Sequence, residues 1–173
     1  MTNMPKRRIF NQPGQPHFVT FSTYHRRRFL DSPETRDIVL EVLQQRLQSQ
    51  QAQCSGFVVM PDHVHAILSG NDQFDISAFM QCWKKTSSYR IKRFFVQELL
   101  RYQQLCPEDC PIWQTGFYDF NLETDEKFTQ KLKYMHNNPV VARLAENVSL
   151  WNWSSSRFYE LGEPVGVTIT SPI

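Results

Sequence analysis

His63 and His65 stand one residue apart in Val58-Val59-Met60-Pro61-Asp62-His63-Val64-His65-Ala66-Ile67-Leu68, a stretch otherwise apolar enough to be a buried strand. Side chains alternate faces along a strand, so both imidazoles point the same way. Two neutral imidazoles converging on one point are what a divalent metal site needs. Tyr134 and Asn138 are four residues apart in a helical pattern, which puts them on one face, one turn from each other. If that face turns toward the histidines, the Asn138 amide oxygen completes a site with His63 and His65, and Tyr134 reaches a phosphate bound there. A tyrosine oxygen is a poor nucleophile at its free pKa of about 10, but a metal that polarises a phosphodiester favours its attack. The product, a covalent phosphotyrosine, conserves the energy of the broken bond, so a second strand end resolves it without ATP. Strand transfer requires that property.

Each residue also has an ordinary structural reading. His63-Val64-His65 equally fits a structural or partly exposed histidine pair. Tyr134 fits a packing residue of an amphipathic helix, and Asn138 a helix-end residue before Pro139.

The elements that must position these groups can be read in order. His17-Phe18-Val19-Thr20-Phe21-Ser22-Thr23-Tyr24 follows the turn-forming Pro13-Gly14-Gln15-Pro16 and reads as a first strand. Ser32 caps a helix with Pro33 at its first position, and Ile38, Val39, Val42, Leu43 and Leu47 recur at helical spacing to about Gln50. Cys54 to Met60 and His63 to Ser69 form a hairpin about Pro61-Asp62. A second helix runs from Ile76 to Leu99. Ile112 to Tyr118 reads as a fourth strand, Thr124-Asp125-Glu126 opens a third helix, and Pro139 is expected to end it, because the residue before proline avoids the helical basin. Trp151, Trp153 and Phe158 imply a tail that docks. The order predicts an α+β fold, a four-stranded, largely antiparallel sheet with helices packed on one face.

At 173 residues and 40% hydrophobic content, one domain with a full core is expected. No apolar run approaches the roughly 18 residues needed to cross a bilayer, and Met1 to Arg8 lacks the apolar segment of a secretory signal, so the expectation is a cytoplasmic protein with no membrane partner. Cys54, Cys82, Cys106 and Cys110 form no paired metal knuckles and are expected to be reduced thiols.

The net charge of +2 conceals an asymmetry. Residues 1 to 93 hold thirteen Lys/Arg against seven Asp/Glu, and residues 94 to 173 hold six against ten. Lys6, Arg7, Arg8, Arg26, Arg27 and Arg28 occur before the first acid, and Lys84, Lys85, Arg90, Lys92 and Arg93 share the second helix. Such clusters suit a phosphate backbone, or a solvated surface.

Met60-Pro61-Asp62-His63-Val64-His65 resembles the His-hydrophobe-His (HUH) motif of single-strand DNA transposases with one catalytic tyrosine, and Tyr134-Met135-His136-Asn137-Asn138-Pro139-Val140 resembles their tyrosine helix. Phe18-Val19-Thr20-Phe21-Ser22-Thr23, Trp113-Gln114-Thr115-Gly116-Phe117-Tyr118-Asp119 and Trp153-Ser154-Ser155 are similar to blocks of one subgroup, the REP-associated tyrosine transposases, encoded beside repetitive extragenic palindromes in bacteria. The resemblance spans roughly residues 17 to 158, and its specificity lies in the ordered combination of blocks. It implies a ferredoxin-like fold divided into a basic N-terminal arm (1–16), a catalytic HUH transposase-like domain (17–140) and a C-terminal tail docked on that domain (141–173). It also implies Mg2+ or Mn2+ on His63, His65 and Asn138. Tyr134 would then attack a single-stranded phosphodiester, leaving a 5′-phosphotyrosine and a free 3′-hydroxyl. One departure stands out: Phe120 occupies a place where that family often has a histidine, so no role for such a histidine carries over. His136, two residues from Tyr134, points to another face and reads as structural or DNA-facing.

The expected function is thus a metal-dependent single-strand DNA endonuclease and strand transferase, a monomer or homodimer acting on palindromic, REP-type hairpin DNA. Histidine ligands suit manganese, zinc or nickel better than magnesium on chemical grounds. Backbone phosphates supply most of the affinity for DNA, so the basic clusters are candidate contacts, and Tyr24, Trp83 or Tyr118 are candidate platforms for unpaired bases, although core packing suits each as well. The competing readings are a hairpin-binding repressor or architectural factor that has lost cleavage, and a replication initiator or relaxase. The short chain and the order of tyrosine after histidines argue against the last.

Overall fold

Strict alternation makes the first strand, β1 (His17–Ser22). Phe18, Thr20 and Ser22 face one side of the sheet, and His17, Val19 and Phe21 face the other. The computed structural model describes residues 14–98 and 110–171; Lys6, Arg7, Arg8 and Cys106 lie outside them.

After β1 the chain makes a tight turn in which His25 and Arg26 both have positive φ, 52° and 56°, costly for residues with a side chain. Helix α1 (Pro33–Gln50) then starts as its sequence dictates, with Pro33 at the first position and the Ser32 hydroxyl accepting from Thr35 N–H. The hairpin of β2 (Gln53–Val59) and β3 (His63–Ser69) follows, then α2 (Ile76–Glu98), β4 (Tyr118–Asn121), α3 (Asp125–Val141) and the short α4 (Ser156–Leu161). The sheet order is β2-β3-β1-β4 with every neighbouring pair antiparallel, which is ferredoxin-like connectivity. β3 and β1 are the central strands. His65 therefore sits mid-sheet, opposite Thr20 on one side and Val58 on the other.

Three expectations are corrected. The helices lie on both faces of the sheet. Val19, Phe21, Phe57, Val59, Val64, Ala66 and Leu68 pack with α1 and α2, whereas Phe18, Val58 and Ile67 pack with Phe128, Leu132 and Met135 of α3. The reason was present in β2 and β3, whose unbroken burial requires cover on each side.

β4 begins at Tyr118, where Ile112 to Tyr118 was expected. Gly116 takes a positive φ of 74° and turns the chain, leaving Trp113 only an isolated bridge to Thr23. Finally, α3 runs through Pro139 to Val141. Proline there forfeits a single N–H bond, its ring is buried, and the carbonyls of Asn138 and Pro139 receive the N–H groups of Ala142 and Leu144.

The chain beyond α3 covers the outer edge of β2. Ser154 bridges Val58, Ser155 N–H reaches the Phe57 carbonyl, the Trp151 indole donates to the Val59 carbonyl at 3.0 Å, and Ile169 bridges Cys54. That edge is thereby closed to other chains. α3 approaches β2 closely because Gly56 has no side chain: a Cβ there would lie 2.3 Å from Met135 Cε and 2.7 Å from Leu132 Cδ1.

Candidate active site

Period-two alternation puts His63 and His65 on the α3 side of β3, level with Ser22 and Thr20. Their ring centroids are 4.8 Å apart, and both residues are buried. On α3, Tyr134 projects outward, 53% exposed, with its ring 5.5 Å from that of His65. Phe18 completes the cluster, stacked on His65 at 5.3 Å and 6.3 Å from Tyr134. A phenol open to solvent thus stands over an imidazole pair shielded from it.

Hydrogen bonds fix the orientation of each imidazole. His63 Nδ1 donates to Asp62 Oδ1 at 2.7 Å, which directs its Nε2 away from that carboxylate. Asp62 is held in turn by Arg26, whose Nε lies 3.0 Å from Oδ2 and whose guanidinium also reaches the Ser22 hydroxyl. The strained turn at His25 and Arg26 brings that guanidinium back to the hairpin. Burial pushes the Asp62 carboxyl up, but the His63 hydrogen bond and the His63 and Arg26 charges outweigh it and hold the group below the ordinary carboxylate value. His65 Nδ1 and the Thr20 hydroxyl share a hydrogen bond of 2.7 Å. Burial, followed by the charges of His63, Arg26 and Lys131, pushes the His65 pKa down to about 3 against a smaller opposing pull from Asp62. His65 is therefore neutral at physiological pH, the form in which an imidazole binds a metal.

These residues fit a divalent ion. His65 Nε2 is buried and has no hydrogen-bond partner, which is costly for a buried polar atom. Among the described residues no three His, Cys, Asp or Glu side chains are grouped to hold a metal, so any third protein donor would be of another type, such as the Asn138 amide. It sits one turn beyond Tyr134, its Nδ2 donating to the Tyr134 carbonyl at 3.5 Å, and it makes no hydrogen bond to either imidazole.

The basic candidates divide. Arg26, Arg27 and Arg28 follow β1 beside Asp62. Arg28 pairs with Asp31 at 2.8 Å, and Arg27 reaches Cys110 Sγ at 3.5 Å. The cluster of Lys84, Lys85, Arg90, Lys92 and Arg93 belongs to α2, in the layer across the sheet from the histidines. There Lys84 donates to the carbonyls of Gln114 and Gly116, Arg90 pairs with Glu41, and Arg93 lies over the Tyr89 ring. Trp83 is core, its indole donating to the Val39 carbonyl, whereas Tyr118 is 42% exposed on β4. His136 is structural: buried, bonded to the Ser155 hydroxyl at 2.8 Å, and pushed down to about 4 by burial.

Sequence reasoning missed Asp62 and Thr20 as supports of the imidazoles, and Lys131. The signals were local. Asp62 precedes His63, Thr20 follows the alternation of β1, and Lys131 lies three residues before Tyr134 on the same helix face.

Among solved structures, a REP-associated tyrosine transposase bound to a REP hairpin superposes with a TM-score of 0.73 at 20% identity, covering 98% of this chain and 94% of that one. A protein of Deinococcus radiodurans R1 described as a transposase gives a TM-score of 0.53 at 22% identity, covering 78% of this chain and 97% of that one. These likenesses are of fold. No curated protein sequence matches the chain. The family described as IS200-like transposase matches residues 13–138, a span that holds the whole sheet together with His63, His65, Tyr134 and Asn138, and the chain belongs to that family.

Proposed function

We propose that this transposase is a metal-dependent single-strand DNA endonuclease and strand transferase that acts on palindromic hairpin DNA through a covalent 5′-phosphotyrosine on Tyr134. The observation that carries the reading is the placement of the exposed Tyr134 ring 5.5 Å from His65, whose buried Nε2 has no partner in the protein. His63, His65 and Asn138 would hold the ion, Mg2+ or Mn2+. When bound, it would supply Lewis-acid polarisation of one phosphodiester.

The chain's own groups do the rest. Asp62 and Thr20 hold the two imidazoles in fixed orientations, so the donor set does not reorganise when substrate arrives. Phe18 and the sheet exclude water from beneath the site, while the Tyr134 hydroxyl stays open to a strand. In the cleavage step Tyr134 Oη forms a bond to phosphorus and the bond from phosphorus to the 3′-oxygen breaks. The phenolic proton passes to water and the departing oxygen takes one up, leaving a free 3′-hydroxyl. Because the phosphotyrosine retains the energy of the broken bond, a second 3′-hydroxyl can reverse the step and join a new strand.

The hairpin preference rests on the fold shared with a relative solved on a REP hairpin. Arg26, Arg27 and Arg28 border the site and are the basic group best placed to hold the strand entering it. The test is to incubate the protein with a labelled hairpin carrying single-stranded flanks, with Mn2+ or with EDTA. Cleavage with Mn2+ alone, giving 3′ ends that a polymerase extends, is expected. A hairpin bound but left intact under every divalent ion would favour instead a DNA-binding protein that has lost cleavage.

A further inference from the structure

Resting on the reading of Tyr134 as nucleophile, we propose that Lys131 is a further catalytic residue of the same reaction, its ammonium binding a non-bridging oxygen of the phosphodiester that Tyr134 attacks. Lys131 and Tyr134 are three residues apart on α3 and share a face. The Lys131 Nζ lies 5.0 Å from the centroid of Phe18, 5.2 Å from that of Phe120 and 5.7 Å from that of Tyr134. Phe18 and Phe120 are directly paired across β1 and β4, so they form one aromatic surface beneath the ammonium.

Unlike Lys127, the other lysine over these rings, Lys131 has no acid beside it. Lys127, one turn earlier, also lies over Phe120 but is tied to Glu123 at 2.8 Å. Lys131 has no carboxylate or hydrogen-bond partner among the described residues. Ring quadrupoles attract a cation without using its N–H donors. The ammonium is therefore held beside the nucleophile with its donors still available, as binding an anion requires.

In the attack, Lys131 neither gains nor loses a proton. The Tyr134 Oη to phosphorus bond forms and the bond from phosphorus to the 3′-oxygen breaks, with proton exchange to water. The lysine offsets the charge carried by the non-bridging oxygens as the bonds exchange. The same oxygens remain on the phosphotyrosine, so the contact serves the joining step as well.

Two measurements test this. The first is hairpin binding in EDTA, where no cleavage occurs, followed from about 50 to about 200 mM salt. Loss of one single-strand phosphate contact in Lys131→Gln is expected to lower the slope of log affinity against log salt by about 0.7. Lys133→Gln, on the same helix but off the Tyr134 face, is expected to change it much less. An unchanged slope in Lys131→Gln, or an equal fall in Lys133→Gln, overturns the assignment.

The second is single-turnover formation of the covalent adduct with Mn2+. Lys131→Gln is expected to slow it on the order of 10²-fold, with partial rescue by Lys131→Arg and no change in melting temperature. A wild-type rate in Lys131→Gln overturns the role of Lys131 and leaves Tyr134 standing. A wild-type protein that forms no adduct removes Tyr134 as nucleophile, and with it this proposal.

Discussion

Tyr134 and His65 face each other across two layers of the fold, their ring planes inclined at 67° and their centroids 5.5 Å apart. Neither belongs to the element of the other: His65 lies in a central strand, Tyr134 on the helix that covers it. The geometry of the site is therefore the distance between α3 and the sheet. Gly56 sets much of that distance, because Leu132 and Met135 occupy the space its side chain would take.

Substituting Gly56 tests that dependence without touching the site. Gly56→Val forces its branches against Leu132 and Met135, both buried, and overpacking of this kind costs about 1 to 3 kcal/mol. The expected outcome is a lower midpoint in chemical denaturation together with slower strand cleavage, as α3 moves off the sheet. Loss of stability with an unaltered cleavage rate in the folded fraction would show that the separation of helix and sheet does not govern the site.

Asp62 is predicted to act through His63. Replacing it by Asn weakens the acceptor that orients the imidazole and releases Arg26 from its ion pair. Outer partners of this type are worth about 10- to 100-fold in metal affinity. Calorimetric titration with Mn2+ should show a drop of that size in Asp62→Asn, and no measurable binding in the double variant His63→Ala, His65→Ala.

Metal binding should also be visible as stability. An ion that binds only the folded chain raises its melting temperature in proportion to the logarithm of concentration, so Mn2+ should raise it and EDTA should reverse the rise. His65→Ala is expected to remove the response. A response of full size in that variant would place the ion elsewhere.

His136 gives a prediction in pH. Its pKa is pushed from the ordinary value of about 6.5 down to about 4 by burial. Above pH 6.5 the group is neutral in both states and its bond to Ser155 is intact. As the pH falls from about 6.5 to about 4, the unfolded chain takes up a proton that the folded chain refuses, and stability drops, by on the order of 3 kcal/mol in total. His65, lowered for similar reasons, acts in the same direction. Denaturation curves at pH 7.5 and 4.5 should converge in His136→Gln relative to wild type; parallel behaviour of the two proteins would contradict the assignment.

Most of the site was legible because its spacings are local. A two-residue period placed His63 and His65 together, and a four-residue period placed Tyr134 with Asn138. The succession of strands and helices and the antiparallel character of the sheet were legible as well. What was not legible depended on tertiary cover. Nothing local to Phe128, Leu132 and Met135 says which face of the sheet they will bury, and the turn at Gly116 displaced β4 toward its C-terminal end. Lys131 escaped notice because its significance lies in Phe18 and Phe120, two rings from different strands. The basic cluster of α2 was visible as charge, but its layer, across the sheet from the histidines, was not.

Locating the covalent bond tests Tyr134 as the nucleophile. The protein is incubated with Mn2+ and a hairpin bearing a labelled single-stranded flank, denatured, digested and examined by mass spectrometry. A nucleotide phosphate is expected on the peptide containing Tyr134, joined through the phenolic oxygen, with no adduct in Tyr134→Phe. An adduct of undiminished yield in Tyr134→Phe, or one mapped to another residue, would contradict that assignment.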